Sequence, residues 1–259
     1  MANGIDESKS IALVVWKTKR DVHYTEAMTG AREQARVALH AEIVRLARVQ
    51  VERDGAANLS LRAIARDLGM VSSAIYRYFA SRDELLTRLI IDSYERLGDC
   101  VELADVAVRK RNDFASRWRA MTRALRQWAI VNPAEYALLF GTPVPGYAAP
   151  SDTIGPATRY TLVLLNLVVD MEAAGYTSSA KVPPALRKDY VAFRKSIEAP
   201  ASNADAILMN GMIAWANVLG VISLELFGHL RNVVNTPGAL FEAVVEQHWQ
   251  RLSSTRAAG

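Results

Sequence analysis

The stretch Leu61–Tyr78 constrains this chain most, because it sets a short amphipathic helix, a glycine turn and a second short helix in close succession. Leu61, Ile64, Ala65 and Leu68 line one face of the first helix, and Gly69 follows where a tight turn needs positive φ. Met70 and Val71 fill the turn, Ser72 or Ser73 supplies the next N-cap, and Ile75 and Phe79 point inward from a second helix expected over Ser73–Phe79. Two helices that cross nearly at right angles need a small residue at the crossing and a glycine in the turn. Ala65 and Gly69 meet both needs. Ser81 and Glu84 then form a capping box that opens a further helix carrying Leu85, Leu86, Leu89 and Ile90. The pattern is a helix-turn-helix whose second helix reads DNA. Its outward residues are Ser72, Ser73, Ala74, Tyr76, Arg77 and Tyr78. The hydroxyls suit phosphates and base edges, and the Ala74 methyl suits a thymine methyl. Arg62, at the start of the first helix, is placed to hold a phosphate with its planar fork.

Charge points to the same partner. Between Lys17 and Ile90 lie 13 Lys and Arg against 9 Asp and Glu, so the whole net charge of +4 sits in this third and the rest balances at 18 of each sign. A polyanion is the partner such an excess fits, although a merely soluble basic face has the same charge. With one cysteine, Cys100, no internal disulfide can form, which fits a reducing cytoplasm.

The remainder is expected to be all-α. Residues 1–30 lack clear helical periodicity and read as a flexible tail, with helix beginning at Ala31 and ending at Asp54-Gly55. Further helices are expected over Phe114–Val131, Pro133–Phe140, Gly155 to Gly175, Pro183 to about Ala199, Asn203 (as N-cap) to about Leu230, and Gly238–Leu252. Thr142–Ser151, with three prolines, is a loop, and residues 253–259 are a second tail. The uncharged run Ile207–Leu224 has the length of a membrane span, but Asn210, Asn217 and Ser223 interrupt it, so a buried or interface helix is the expected role. No strand alternation and no internal repeat is visible.

No catalytic constellation and no cofactor motif stands out. The four histidines lack metal-ligand spacing, Cys100 has no adjacent base, and nucleophile-elbow, P-loop and dinucleotide motifs are absent from the sequence. Neither a catalytic residue, a metal site nor a cofactor is therefore expected. A helical interaction module without DNA binding would share the core pattern but would not need Ser72, Tyr76 and Tyr78 on its surface.

The segment Leu59–Leu89, with Ile75, Tyr76, Tyr78 and Phe79 followed by Ser81–Leu85, closely resembles the DNA-binding domain of TetR/AcrR-family repressors. Pro133–Pro150 and Trp215–Leu230 more weakly resemble a TetR subgroup with a tryptophan–glycine effector domain, from which Leu219 departs where histidine is expected before Gly220. The resemblance implies an N-terminal three-helix DNA-binding domain over 31–98 and a C-terminal helical ligand-binding and dimerisation domain over 99–252. It implies DNA contacts from Arg62, Ser72, Ser73, Tyr76, Tyr78 and Arg82. It further implies a cytoplasmic homodimer on a palindromic operator of double-stranded DNA, built through the last two long helices. A small apolar effector would release this repressor. Trp118, Trp128, Tyr136, Phe140, Tyr147 and Met171 are the expected pocket lining.

Overall fold

The computed structural model describes residues 7–196 and 205–253, with the side chains of the first helix described from Arg32 onward. Ten α-helices follow one another, and no strand occurs among the described residues. Helix α1 runs Glu7–Asp54, α2 Leu61–Asp67, α3 Ser72–Ile75, α4 Arg82–Ala107 and α5 Phe114–Val131. Then come α6 Pro133–Phe140, α7 Ile154–Ala173, α8 Pro184–Ser196, α9 Asp205–Leu226 and α10 Pro237–Ser253.

Two hydrophobic cores organise them. The first gathers Ile43, Ala47 and Val51 of α1, Ile64 and Ala65 of α2, Ile75 of α3, and Leu85, Leu86 and Leu89 of α4. The second gathers Leu97 and Val101 of α4 with apolar faces of α5, α7, α9 and α10. Helix α4 therefore belongs to both cores. At 26 residues it is a rod of about 39 Å. Polar struts tie α1, α4 and α6 together at the same junction. Arg48 of α1 bonds Asp92 of α4 at 2.8 Å, and Arg96 of α4 pairs with Glu135 of α6.

The second core also contains a buried ion network. Arg117, 1% exposed, donates to Asp105 at 2.8 Å and to Asp170 at 2.6 Å, tying α5 to α4 and α7. Arg119, Arg123 and Arg126 of α5 also bond Glu246, Glu242 and Glu225 of α10 and α9, each at 2.6 to 2.7 Å by its closest contact.

Several expected boundaries shift. The expected tail over 1–30 is helix from Glu7, so no break in the backbone separates it from the segment starting at Ala31. Residues 1–6, the Asn203 cap and the tail 254–259 lie outside the described residues. Helix α9 stops at Leu226 rather than Leu230, because Gly228 turns the chain at φ +79°. It has the length and mean hydropathy (1.7) to cross a membrane, yet Ile207, Leu208, Trp215, Val218 and Ile222 spend that hydropathy inside the second core.

Candidate nucleic-acid interface

The first core presents the helix-turn-helix on its outer side. Ser60 caps α2, its Oγ accepting the Ala63 N–H at 3.3 Å. The helix ends in a Schellman closure: Gly69 N–H donates to Arg66 O at 3.0 Å, and Met70 N–H donates to Ala65 O at 2.8 Å. This closure needs a left-handed residue, and Gly69 supplies it at φ +65°. The turn then delivers Val71 in extended conformation as the N-cap of α3, without a side-chain cap. Neither Ser72 nor Ser73 caps the helix; both are exposed within it.

Helix α3 is shorter than expected. It covers Ser72–Ile75, and single turns carry the chain through Tyr76–Tyr78, with Tyr78 N–H and Phe79 N–H both donating to Ile75 O at 2.9 and 3.2 Å. Phe79 closes the segment as a buried anchor with its ring 4.6 Å from that of His40. Capping pulls the next helix into line. Ser81 Oγ accepts Glu84 N–H at 3.1 Å, while the Glu84 carboxylate accepts Ala80 N–H at 2.6 Å. The reciprocal bond thus reaches one residue further upstream than a standard capping box.

Ser72, Ser73, Tyr76 and Arg77 are each exposed, and so is Arg62 on the preceding helix. Tyr78 is half-buried and packs against the first core. Ala74 points inward, at 9% exposure, because it faces the core beside Ile75. The exposed apolar side chain of this surface is instead Val71, at 72%. Arg82, expected on DNA, is turned back on the protein: its Nη2 donates to the carbonyls of Ala56 and Ala57 at 3.2 and 3.1 Å. Sequence reasoning missed Val71 and the Arg82 strut, since which side a turn residue faces is set by the turn's closure.

The local charge is unevenly spent. Arg36, Arg45 and Arg53 pair with Glu33, Glu42 and Asp54 close by in sequence. Among the described residues Arg62, Arg66 and Arg77 have no carboxylate partner, and all three are exposed around α2 and α3. Unpaired guanidinium groups beside exposed hydroxyls form a surface suited to phosphates.

The six expected pocket residues stand in different surroundings. Trp118 and Met171 are fully buried core, and the Trp118 Nε1–H is spent on Val245 O at 2.8 Å. Trp128 is also core. Tyr147 lies outside the second core, packing on the first core with its hydroxyl 2.9 Å from Thr87 Oγ1. Tyr136 is buried with its hydroxyl bonded to Ser223 Oγ at 2.8 Å, and Phe140 lines an open groove. Large apolar residues look alike in sequence whether they pack or line a pocket, so burial alone separates these six. Burial also raises the pKa of the Cys100 thiol, the opposite of what a nucleophile needs.

Residues 43–89 match the family described as bacterial regulatory proteins of the tetR family, and residues 118–248 match a tetracyclin repressor-like C-terminal domain. An HTH-type transcriptional regulator of Mycobacterium tuberculosis is 43% identical over 223 residues, covering 83% of this chain and 92% of the relative. Among solved structures, regulatory protein SCO4313 superposes with a TM-score of 0.69 at 35% identity, covering 83% of this chain and 97% of that one. A TetR-family transcription regulator from Shewanella shares the fold alone, with a TM-score of 0.53 at 15% identity, over 85% of this chain and 98% of its own.

Proposed function

The chain belongs to the TetR family of DNA-binding transcriptional regulators and is not an enzyme, and from that premise we propose that it is an effector-responsive repressor acting as a cytoplasmic homodimer on a palindromic operator. The observation that carries the operator contacts is the single surface of α2 and α3 where Ser72, Ser73 and Tyr76 stand exposed beside the unpaired Arg62, Arg66 and Arg77. The serines and Tyr76 touch phosphates and base edges of the major groove, and Tyr78 supports them from its half-buried position. Val71 takes over the thymine-methyl contact that Ala74 is too buried to make.

The dimer face is the outer side of α9. Met212, Ile213 and Leu224 are exposed there, with Ala216 and Gly220 between them small enough for close helix approach. Helix α10 lies beside it and completes a four-helix interface with the partner's pair. Release from DNA follows from α4: an effector that rearranges the second core shifts this shared rod, and the two reader helices lose the spacing of about 34–36 Å that one turn of DNA demands.

The test is a gel shift of the full chain on its own upstream DNA at two salt concentrations, with unrelated DNA as competitor. A specific, salt-sensitive shift that weakens with Tyr76→Ala while helicity is kept supports the assignment. If Tyr76→Ala and Tyr78→Ala both bind like the parent, the reader surface is wrongly assigned. Light scattering that gives the mass of one chain at micromolar concentration refutes the dimer.

A further inference from the structure

Where α4, α6, α7 and α9 meet, six aromatic rings form a continuous cluster. Phe140 lies 4.8 Å from Tyr136, 5.9 Å from Tyr160 and 6.3 Å from Tyr94, while Tyr160 lies 5.4 Å from Trp215 and Tyr136 lies 6.2 Å from Phe227. One polar tip of the cluster is satisfied: the Tyr136 hydroxyl bonds Ser223 and donates to Leu219 O at 3.1 Å. One other is not. The Trp215 Nε1–H is buried, its residue 3% exposed, and completes no hydrogen bond of normal geometry. It sits beside the Tyr160 hydroxyl closely enough to favour the phenolate, but burial outweighs that effect and pushes the Tyr160 pKa up to about 12. Among the described residues neither the Tyr160 nor the Tyr94 hydroxyl makes a hydrogen bond of normal geometry, and the two rings stack at 6.2 Å. A position required only to pack would carry phenylalanine without leaving a donor stranded, so an orphan donor in a native core asks for a partner.

The chemistry of that partner is restricted. Indole donates only, and the Tyr160 hydroxyl stays protonated throughout the physiological range and so serves as a second donor. The groups acting on Tyr160 are the uncharged Tyr94, Tyr136 and Trp215, with no carboxylate or guanidinium among them. An acceptor oxygen on a flat, uncharged body matches this environment. The cluster also has an approach. Phe140 and Phe227 form part of the wall of a groove of about 950 Å³, together with Pro143, Val144 and His229, and the Phe140 ring also lies 5.9 Å from that of Tyr160.

We propose that Trp215, Tyr160 and Tyr94 form the polar end of an effector site for a small, planar, uncharged molecule with a carbonyl-type acceptor oxygen, entered from the groove past Phe140. The proposal rests on the effector-responsive reading above and gives that effector a chemical class. The carbonyl oxygen accepts from the indole N–H and the Tyr160 hydroxyl, and the ring body takes space that Phe140 vacates by rotating toward the groove. Because α6 carries both Phe140 and Glu135, the partner of Arg96, that rotation acts on the helix that braces α4 at the domain junction.

The test uses the full chain with 15N-labelled tryptophan, whose five indoles give five Nε1–H signals. The probes are 1-indanone and indane, alike in shape and differing in the carbonyl. Trp215→Phe identifies the Trp215 signal by deleting it. 1-Indanone is expected to shift that signal and to bind about fivefold more tightly than indane, the worth of one net hydrogen bond. The preference shrinks in Trp215→Phe and in Tyr160→Phe, the second a variant that removes one oxygen and tests the site even if the tryptophan variant fails to fold. No shift of the Trp215 signal at the solubility limit of 1-indanone, or equal affinity for the two probes, overturns the proposal. The operator gel shift separates the site from the switch. 1-Indanone that binds at Trp215 without changing operator affinity upholds the site and refutes effector control. A releasing compound found by screening that acts equally on the parent and on Trp215→Phe refutes the site and leaves effector control standing.

Discussion

Arg82 offers the sharpest contrast between two mechanisms. If it held a DNA phosphate, Arg82→Met would leave the protein as stable as before and lower the salt dependence of operator binding by about one phosphate contact, or about 0.9 in the log–log slope. In the structure it acts instead as a strut, with its Nη2 bridging the carbonyls of Ala56 and Ala57 and fastening the start of α4 to the loop after α1. Hydrogen bonds from a charged donor contribute about 1.5–3 kcal/mol when well buried. The Arg82 side chain is 29% exposed and its salt bridge to Asp83 is long, at 3.4 Å, so the lower end applies. Against it stands the unfavourable placement of a cation at a helix N-terminus, which removal relieves by about 0.3–1 kcal/mol. The net expectation is a loss of about 1 kcal/mol in urea unfolding of the full chain, together with an unchanged salt slope. Arg82→Lys, which keeps the charge but not the fork, should lose nearly as much stability. A Met variant of parental stability with a slope reduced by about one would refute the strut and restore the phosphate contact.

Three further outcomes follow from the same geometry. Val71→Ala should weaken operator binding about fivefold, or about 1 kcal/mol, and replacing the contacted thymine by uracil should weaken the parent but not the variant; equal sensitivity in both removes Val71 from the base edge. Arg117→Met should cost about 3 kcal/mol in denaturant unfolding, the low end for a broken buried pair, because it leaves the buried Asp105 paired only with the half-exposed Arg111, whereas Asp170→Asn should cost about 1 kcal/mol or less because Asp170 is half exposed; comparable losses would show that the network is not organised around Asp105. His248 is buried, and desolvation, followed by the charge of Arg251, lowers its pKa below the ordinary 6.5. Both folded and unfolded forms are neutral above that value, so its contribution is intact there and is lost as pH falls and the unfolded chain takes up the proton first. Thermal unfolding should therefore lose less stability between pH 7.5 and 5.5 in His248→Gln than in the parent, and identical losses would refute the assignment.

Local chemistry made much of this protein legible before any coordinates. Helices α5 and α6 keep the expected boundaries that Asn132, Pro133 and Gly141 mark, because caps and breakers act within a turn of where they stand. Gly69 likewise fixed the turn of the helix-turn-helix, because a left-handed closure admits few other residues, while the family was legible only through the resemblance carried by Leu59–Leu89. Tertiary structure decided the rest. Whether Ala74 or Val71 faces outward depends on how the Met70–Ala65 closure rotates the turn onto the first core. Arg82 meets two carbonyls about 25 residues before it in the chain. Tyr94, Tyr160 and Trp215 come from three separate helices, and the stranded indole donor they surround exists only once those helices pack. Caps and turns are short-range and are written into neighbouring residues, whereas burial and the direction of a side chain are properties of the assembled core.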